Sequence, residues 1–355
     1  MATKPTTSVP LAVDNVQALA SNTSLKAIPP RYIRPQLSTD QENNHRAPHH
    51  QIPVIDLNKL THQQFSPQEM AKYHQACQDW GFFQLVNHGV AEEEMIRDVS
   101  GFFELPLEVK RDGCSQDAAR MEGYGQSFVF SEEQKLDWGD MLFLYTRPVL
   151  SRNLNHWPAL PLSFRETVSN YSLEMERIKT LLLGMMAKNL GIDEEKFINM
   201  FSDGTQTMRM NYYPPCLEPS KVLGISPHSD ATGLTILLQI NEVNGLQIRH
   251  DGRWIPVQML PKALLINIGD VLEIVSNGRY KSIEHRVVVN TEKERMSVAT
   301  FHEMNRNVAI KPLSELILEG EVEQYKSIHA EEFVKLLSSH RLDGKNLLDL
   351  MKLNK

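Results

Sequence analysis

The period of the hydrophobic positions changes along this chain. From Ser163 to Gly191, apolar residues recur at helical spacing (Val168, Tyr171, Met175, Ile178, Leu182, Met185, Met186). That pattern predicts one long helix with its apolar stripe in the core. Ser163-Phe-Arg-Glu166 has the form of a capping box, and Gly191 suits the C-terminal exit. After Thr207 the period shortens. MRMNYY, LTILLQI, LQIRH, WIPVQ, ALLINI, VLEIV, KSIEHRVVV and SVATFH follow one another as β-rich runs. Asp251-Gly252 and Asn277-Gly278 fall between such runs as hairpin signals. Short strands at this spacing predict an antiparallel sandwich or barrel, with a jelly roll the economical choice.

Upstream, Pro53–Leu57 and Phe82–Val86 read as short buried strands, and the segments around Pro67–Asp79 and Glu92–Phe103 as helices. Residues 1–51 form an extension. It holds an amphipathic piece from Leu11 to Ala20, the stiff Ile28-Pro29-Pro30, and a polar loop with His45, His49 and His50, read as a solvated linker. Ala330–Leu337 and Lys345–Met351 are the periodic parts of a helical tail. The expected class is α+β. The expected division is 1–51 extension, 52–200 mixed α/β region, 201–310 jelly-roll core and 311–355 tail.

Composition excludes more than it assigns. With 41% hydrophobic and 23% charged residues, the chain is neither disordered nor fibrous. A net charge of −7 has the wrong sign for a nucleic-acid or anionic-membrane partner. Three scattered cysteines give no disulfide framework and no CxxC metal site, which suits a reducing compartment. No targeting or membrane-spanning signal is present, so a soluble cytoplasmic protein is expected. The hint of chemistry is 13 histidines.

A His-x-Asp/Glu pair can present two ligands on one face of an extended strand. Composition alone gives about 1.6 such pairs by chance. The chain has two, and His329/Glu331 reads as helical, where the side chains point apart. His228/Asp230 stands at the start of the β-rich region, and His285 ends the predicted strand Lys281–His285. Two imidazoles and a carboxylate with open positions opposite form the facial triad of non-haem Fe(II) oxygenases, whereas a structural zinc site is closed by four ligands. Spacing alone leaves His285 equally readable as an ordinary strand histidine. Arg295 and Ser297 share a face of the next predicted strand. A buried arginine fork there needs an anion, either an acidic side chain of the chain or a ligand carboxylate.

Taken together, Asn211-Tyr-Tyr-Pro-Pro-Cys216, His228-Ser-Asp230, His285 and Arg295-Met-Ser297 resemble the 2-oxoglutarate- and Fe(II)-dependent dioxygenases of plant specialised metabolism. PVIDL at 53–57 and Trp80-Gly-Phe-Phe-Gln-Leu-Val-Asn-His-Gly89 resemble that family's N-terminal region, so the likeness runs from about residue 50 to 345. Met121-Glu-Gly-Tyr-Gly125 and Glu133-Gln-Lys-Leu-Asp-Trp138 look closest to the senescence-related and norcoclaurine-synthase-like branch, near the alkaloid O-demethylases of poppy.

The resemblance implies that His228, Asp230 and His285 hold Fe(II). It implies that Arg295 and Ser297 grip the distal carboxylate of 2-oxoglutarate, helped by Tyr213, with Asn211 beside the chelating end. O2 is the other co-substrate and ascorbate the reductant. Phe301 matches a position that packs against the organic substrate, or else is a core Phe. Tyr124, Phe143 and Tyr145 are further pocket candidates, with the C-terminal helix closing the pocket. His88 is read as structural, His302 is unassigned, and Cys216 is packing. The expected activity is hydroxylation or O-demethylation of a ring-containing small molecule by a monomer, releasing succinate and CO2. The rivals are a zinc hydrolase, a norcoclaurine-synthase-like condensation and a non-catalytic ligand-binding protein.

Overall fold

A computed structural model describes residues 13–23, 26–35, 37, 51–62, 64, 66–114, 122–126, 129, 131–339 and 344–353. His45, His49 and His50 lie outside the described residues. Twelve strands build two facing sheets. In chain order they are β1 (Val54–Asp56), β2 (Phe82–Val86), β3 (Gly123–Gly125), β4 (Asp140–Arg147), β5 (Gln206–Tyr213), β6 (Ile225–His228), β7 (Leu234–Gln239), β8 (Leu246–His250), β9 (Arg253–Pro256), β10 (Leu264–Ile268), β11 (His285–Val287) and β12 (Arg295–His302). The larger sheet has the order β1-β2-β10-β7-β12-β5-β4-β3, and the smaller β6-β11-β8-β9. This is the predicted α+β jelly roll. Of the expected hairpins, Asp251-Gly252 joins β8 to β9 with both residues at positive φ (49° and 74°), as a tight turn of this type requires.

Alternation along β12 explains the layering. Met296 and Val298 point to the outer face of the large sheet, where they join a core with the long helix α1 (Phe164–Leu190). Val168, Met175, Ile178, Leu182 and Met186 of that helix are fully buried, and burying each such side chain contributes about 1.5–3 kcal/mol. Gly191 ends the helix at φ +68°. The predicted cap does not form. The Ser163 carbonyl accepts the Thr167 N–H at 2.9 Å, but its hydroxyl makes no capping bond, because it is drawn to buried Asp98 and faces Arg97 at 3.5 Å. A second apolar core lies between the sheets, where Phe82, Tyr213 and Leu265 meet Ile225, Ile248, Ile255 and Val287.

Three further expectations are corrected. VLEIV is not a strand but part of helix α2 (Asp270–Val275). Every residue of it is buried, so periodicity could not separate helix from strand. Asn277-Gly278 accordingly ends this helix, with the Gly278 N–H donating to the Glu273 carbonyl at 2.8 Å, and makes no hairpin. His285 opens its strand and does not end it. Three of the twelve strands escaped prediction: β6, which contains a proline, β4 and the short β3.

The start of the described chain packs onto the body. Val16, Ile28 and Tyr32 are buried with Leu136 and Trp138, and the Asp140 carboxylate accepts from the Val16 and Gln17 amides at 3.0 and 2.7 Å. The tail contains helices α3 (Ala330–Ser339) and α4 (Asn346–Met351). Among the described residues, no helix is long and apolar enough to cross a membrane.

Candidate metal centre

His228 and His285 face each other directly across the antiparallel pair β6–β11, which sets their rings 4.3 Å apart at 51°. Each ring's Nδ1 sits against a carbonyl oxygen two residues back, Ser226 at 2.8 Å and Ile283 at 3.2 Å. A carbonyl only accepts, so Nδ1 carries the proton and Nε2 keeps its lone pair. Both Nε2 atoms point at Asp230 Oδ1, at 3.5 and 3.6 Å.

The strand stops at His228, so Asp230 is not held by the ladder as the i, i+2 argument assumed. It is turned in by other contacts. Thr235 Oγ1 and Asn267 Nδ2 donate to its Oδ2 at 2.5 and 2.8 Å, and its carbonyl accepts the Asp270 N–H at 2.7 Å. Burial opposes ionisation of Asp230, but His285, His228 and these two donors outweigh it and hold the carboxyl below its usual range. Burial, reinforced by His285, pushes His228 down to about 3 and keeps it neutral.

The three ligand atoms lie within 4.8 Å of one another. Two neutral imidazoles and one carboxylate oxygen, each with its other atom already bonded, fit Fe(II) with open positions opposite.

Strand register decides which of the other expected residues face this centre. Across β4–β5–β12, Arg295 is opposite Tyr213, Ser297 opposite Asn211, Ala299 opposite Arg209 and Phe143, and Phe301 opposite Thr207 and Tyr145. All of these lie on the inner face, and so do Thr235 and Gln239 of β7. Tyr124 does not. It pairs with Leu142, which pairs with Met210 on the opposite, outer face. Its ring packs against Phe102 and its hydroxyl accepts from Asn15 Nδ2 at 2.8 Å, so its expected pocket role is corrected to a core role. His302 also lies on the outer face, buried and bonded to the Leu234 carbonyl. His88, bonded to the Lys262 carbonyl, and buried Cys216 take no part in the site.

Arg295 is 2% exposed, and among the described residues no carboxylate lies within ion-pair reach. Its guanidinium makes long contacts to Ser297 Oγ and Gln239 Oε1, at 3.4 Å each, and a side-chain hydrogen bond with Tyr213, whose ring centre lies 5.5 Å away. Its Nε has no hydrogen-bond partner. A buried fork so poorly paired fits the distal carboxylate of 2-oxoglutarate. Tyr213 is raised to about 12 by burial, against the pull of Arg295, so its phenol keeps its proton.

Four contributors were not read from sequence. They are Thr235 and Asn267, Gln239, and Gly245, where an added Cβ would come 2.9 Å from Arg295 Cδ and 2.6 Å from the Val288 carbonyl.

A model of the 2OG-Fe(II) oxygenase superfamily matches residues 204–304, which contain all three ligands and Arg295. The chain belongs to that superfamily. A second model, of the non-haem dioxygenase in morphine synthesis N-terminal region, matches residues 52–160. This oxygenase is similar to S-norcoclaurine synthase 1 of Coptis japonica (50% identical over 351 residues, 97% of each chain). It is also similar to 2-oxoglutarate-dependent dioxygenase 11 of Oryza sativa subsp. japonica (47% over 349 residues, 97% of each) and to codeine O-demethylase of Papaver somniferum (43% over 362 residues, 97% of each). In structure it is similar to JOX2 crystallised in complex with 2OG, Fe and JA (TM-score 0.87, 35% identity, 97% of this chain and 99% of that one). The protein is a 2-oxoglutarate-dependent dioxygenase.

Proposed function

We propose that this dioxygenase hydroxylates or O-demethylates a flat, ring-containing small molecule of plant specialised metabolism, an alkaloid or a phenolic. The observation that carries the reading is one sheet face. Half-buried Phe143, Tyr145 and Phe301 stand on the same side of the sheet as Asn211, Arg295 and Ser297, with the Phe143 and Tyr145 rings 6.1 Å apart. Aromatic walls beside a few placed polar groups suit a ring-shaped ligand. Similar proteins include demethylases of codeine and of flavonoids, by their names.

His228, Asp230 and His285 would hold Fe(II), and Arg295 with Ser297 and Tyr213 would hold the far carboxylate of 2-oxoglutarate. When bound, iron, 2-oxoglutarate and O2 supply the oxidation, with succinate and CO2 released and one oxygen atom delivered to a substrate C–H bond. On a methoxy carbon, the hydroxylated product breaks to formaldehyde and a free hydroxyl. Phe143, Tyr145 and Phe301 orient the ring and exclude water, while Arg295 fixes the reach of the co-substrate. Ascorbate would keep the iron reduced. A zinc hydrolase would give Arg295 no partner. The enzyme works as a monomer in this reading, since every named group comes from one chain, and three buried free thiols suit the cytoplasm.

The test is a mass-resolved screen of alkaloids and phenolics with Fe(II), 2-oxoglutarate, ascorbate and O2. The expected products gain one oxygen or lose one methylene, with one succinate per turnover. Product formed without O2 or 2-oxoglutarate would instead favour a non-oxidative condensation and overturn the oxygenase reading.

A further inference from the structure

β6, which carries His228, is an edge strand. It pairs with β11 on one side and with no other strand on the other, among the described residues. Edge groups left open are usually covered, and here the chain's own C-terminal segment covers them. The Gly344 N–H donates to the Pro227 carbonyl at 2.9 Å, and the Ser229 N–H donates to the Gly344 carbonyl at 3.1 Å. One residue therefore brackets His228 from both sides. Gly344 does this at φ +58°, a conformation that favours glycine.

The next residue extends the grip. Lys345 Nζ lies 3.4 Å from Glu273 Oε2 on helix α2. Glu273 is buried and also accepts from the Ser282 N–H at 2.6 Å and the Tyr325 hydroxyl at 2.8 Å. Helix α2 begins at Asp270, whose N–H donates to the Asp230 carbonyl and whose carboxylate accepts from Ser229 Oγ at 3.1 Å. Leu347, Leu348 and Met351 then anchor the segment in the core.

We propose that residues 344–353 are a positioning element of the metal centre. Gly344 pins the peptide on either side of His228, and Lys345 ties the segment to the helix that holds Ser229 and Asp230. The proposal rests on the metal-centre reading above. It assigns a task to a part of the chain far from the ligands in sequence and outside the region matched by the superfamily model. Outer contacts of this kind keep ligands arranged before the metal arrives.

The test uses the full chain and anaerobic Co(II) titration read by visible absorption, which reports both affinity and ligand field and needs no turnover. Lys345→Met keeps the apolar stem and removes the charge, and Lys345→Arg restores it. Gly344→Pro removes the N–H and forbids the observed φ. The expected result is that Lys345→Met and Gly344→Pro weaken Co(II) binding by about tenfold or more, with Lys345→Arg near wild type. Added metal should restore 2-oxoglutarate binding in both weak variants. If Gly344→Pro does not fold, the Lys345 pair decides. Unchanged Co(II) affinity with a lowered Tm would overturn the proposal and leave the segment as packing. A wild-type protein that binds no Co(II) would overturn the metal-centre reading together with the proposal, whereas a metal-binding protein without oxygenation would remove the oxygenase reading alone.

Discussion

At the metal end of the site, nearly every ligand atom not aimed at the metal already has a partner. Both Nδ1 atoms sit on carbonyls, and Asp230 Oδ2 takes two donors. At the 2-oxoglutarate end, Arg295 is buried with two contacts at 3.4 Å and an Nε that bonds to nothing. The difference teaches which part of the site the fold completes by itself and which part waits for a ligand. Holding the metal donors ready costs little, because their hydrogen bonds are local. Burying a guanidinium with no carboxylate partner is expensive, and in the proposed function the far carboxylate of 2-oxoglutarate would relieve that cost.

The largest effect should come from the expensive end. Arg295→Leu should weaken 2-oxoglutarate binding by roughly 2–5 kcal/mol while leaving metal affinity intact. Separate anaerobic titrations of Fe(II) and 2-oxoglutarate check this, and equal losses of both would erase the contrast.

A second test uses pH. His302, by burial, and His228, by burial and then by His285, are both pushed down to about 3 from an ordinary 6.5. The unfolded chain therefore binds more protons between these values, so folding stability is full above about 6.5 and is lost as pH falls toward 3. The slope is up to about 1.4 kcal/mol per pH unit for each histidine. Urea unfolding of the metal-free protein at a series of pH values should show it, and His302→Gln should remove one histidine's share. An unchanged slope in that variant would refute the assignment.

Smaller again is Thr235→Val, which takes one of two donors from Asp230. Metal affinity should fall about tenfold, measured by the same titration, and no change would mean that Asn267 alone suffices. The smallest effect separates the two faces of the sheet. Tyr124→Phe should cost about 1 kcal/mol of stability through the lost Asn15 bond and leave substrate KM unchanged, whereas Phe143→Ala should raise KM. A raised KM for Tyr124→Phe would return that residue to the pocket.

Much of the site was legible because its signals are local. His228-Ser-Asp230 and Arg295-Met-Ser297 are two-residue spacings, and the long helix and most strands follow from period alone. What was not legible depends on register and distance along the chain. Tyr124 is on the wrong face because of how β3 pairs with β4, which no pattern within the segment encodes. Thr235, Asn267, Gln239 and Gly245 act through partners remote in sequence, and Gly344 reaches β6 from the other end of the chain. VLEIV was misread because complete burial erases periodicity.

The most direct test of the account is the thermal stability of metal-free Arg295→Leu, with and without metal and 2-oxoglutarate. If Arg295 is kept for the ligand and not for the fold, the variant's Tm will equal or exceed that of wild type, and the co-substrate will no longer raise it. A variant clearly less stable than wild type, but still stabilised by 2-oxoglutarate, would show that Arg295 serves the fold and that the carboxylate is held elsewhere.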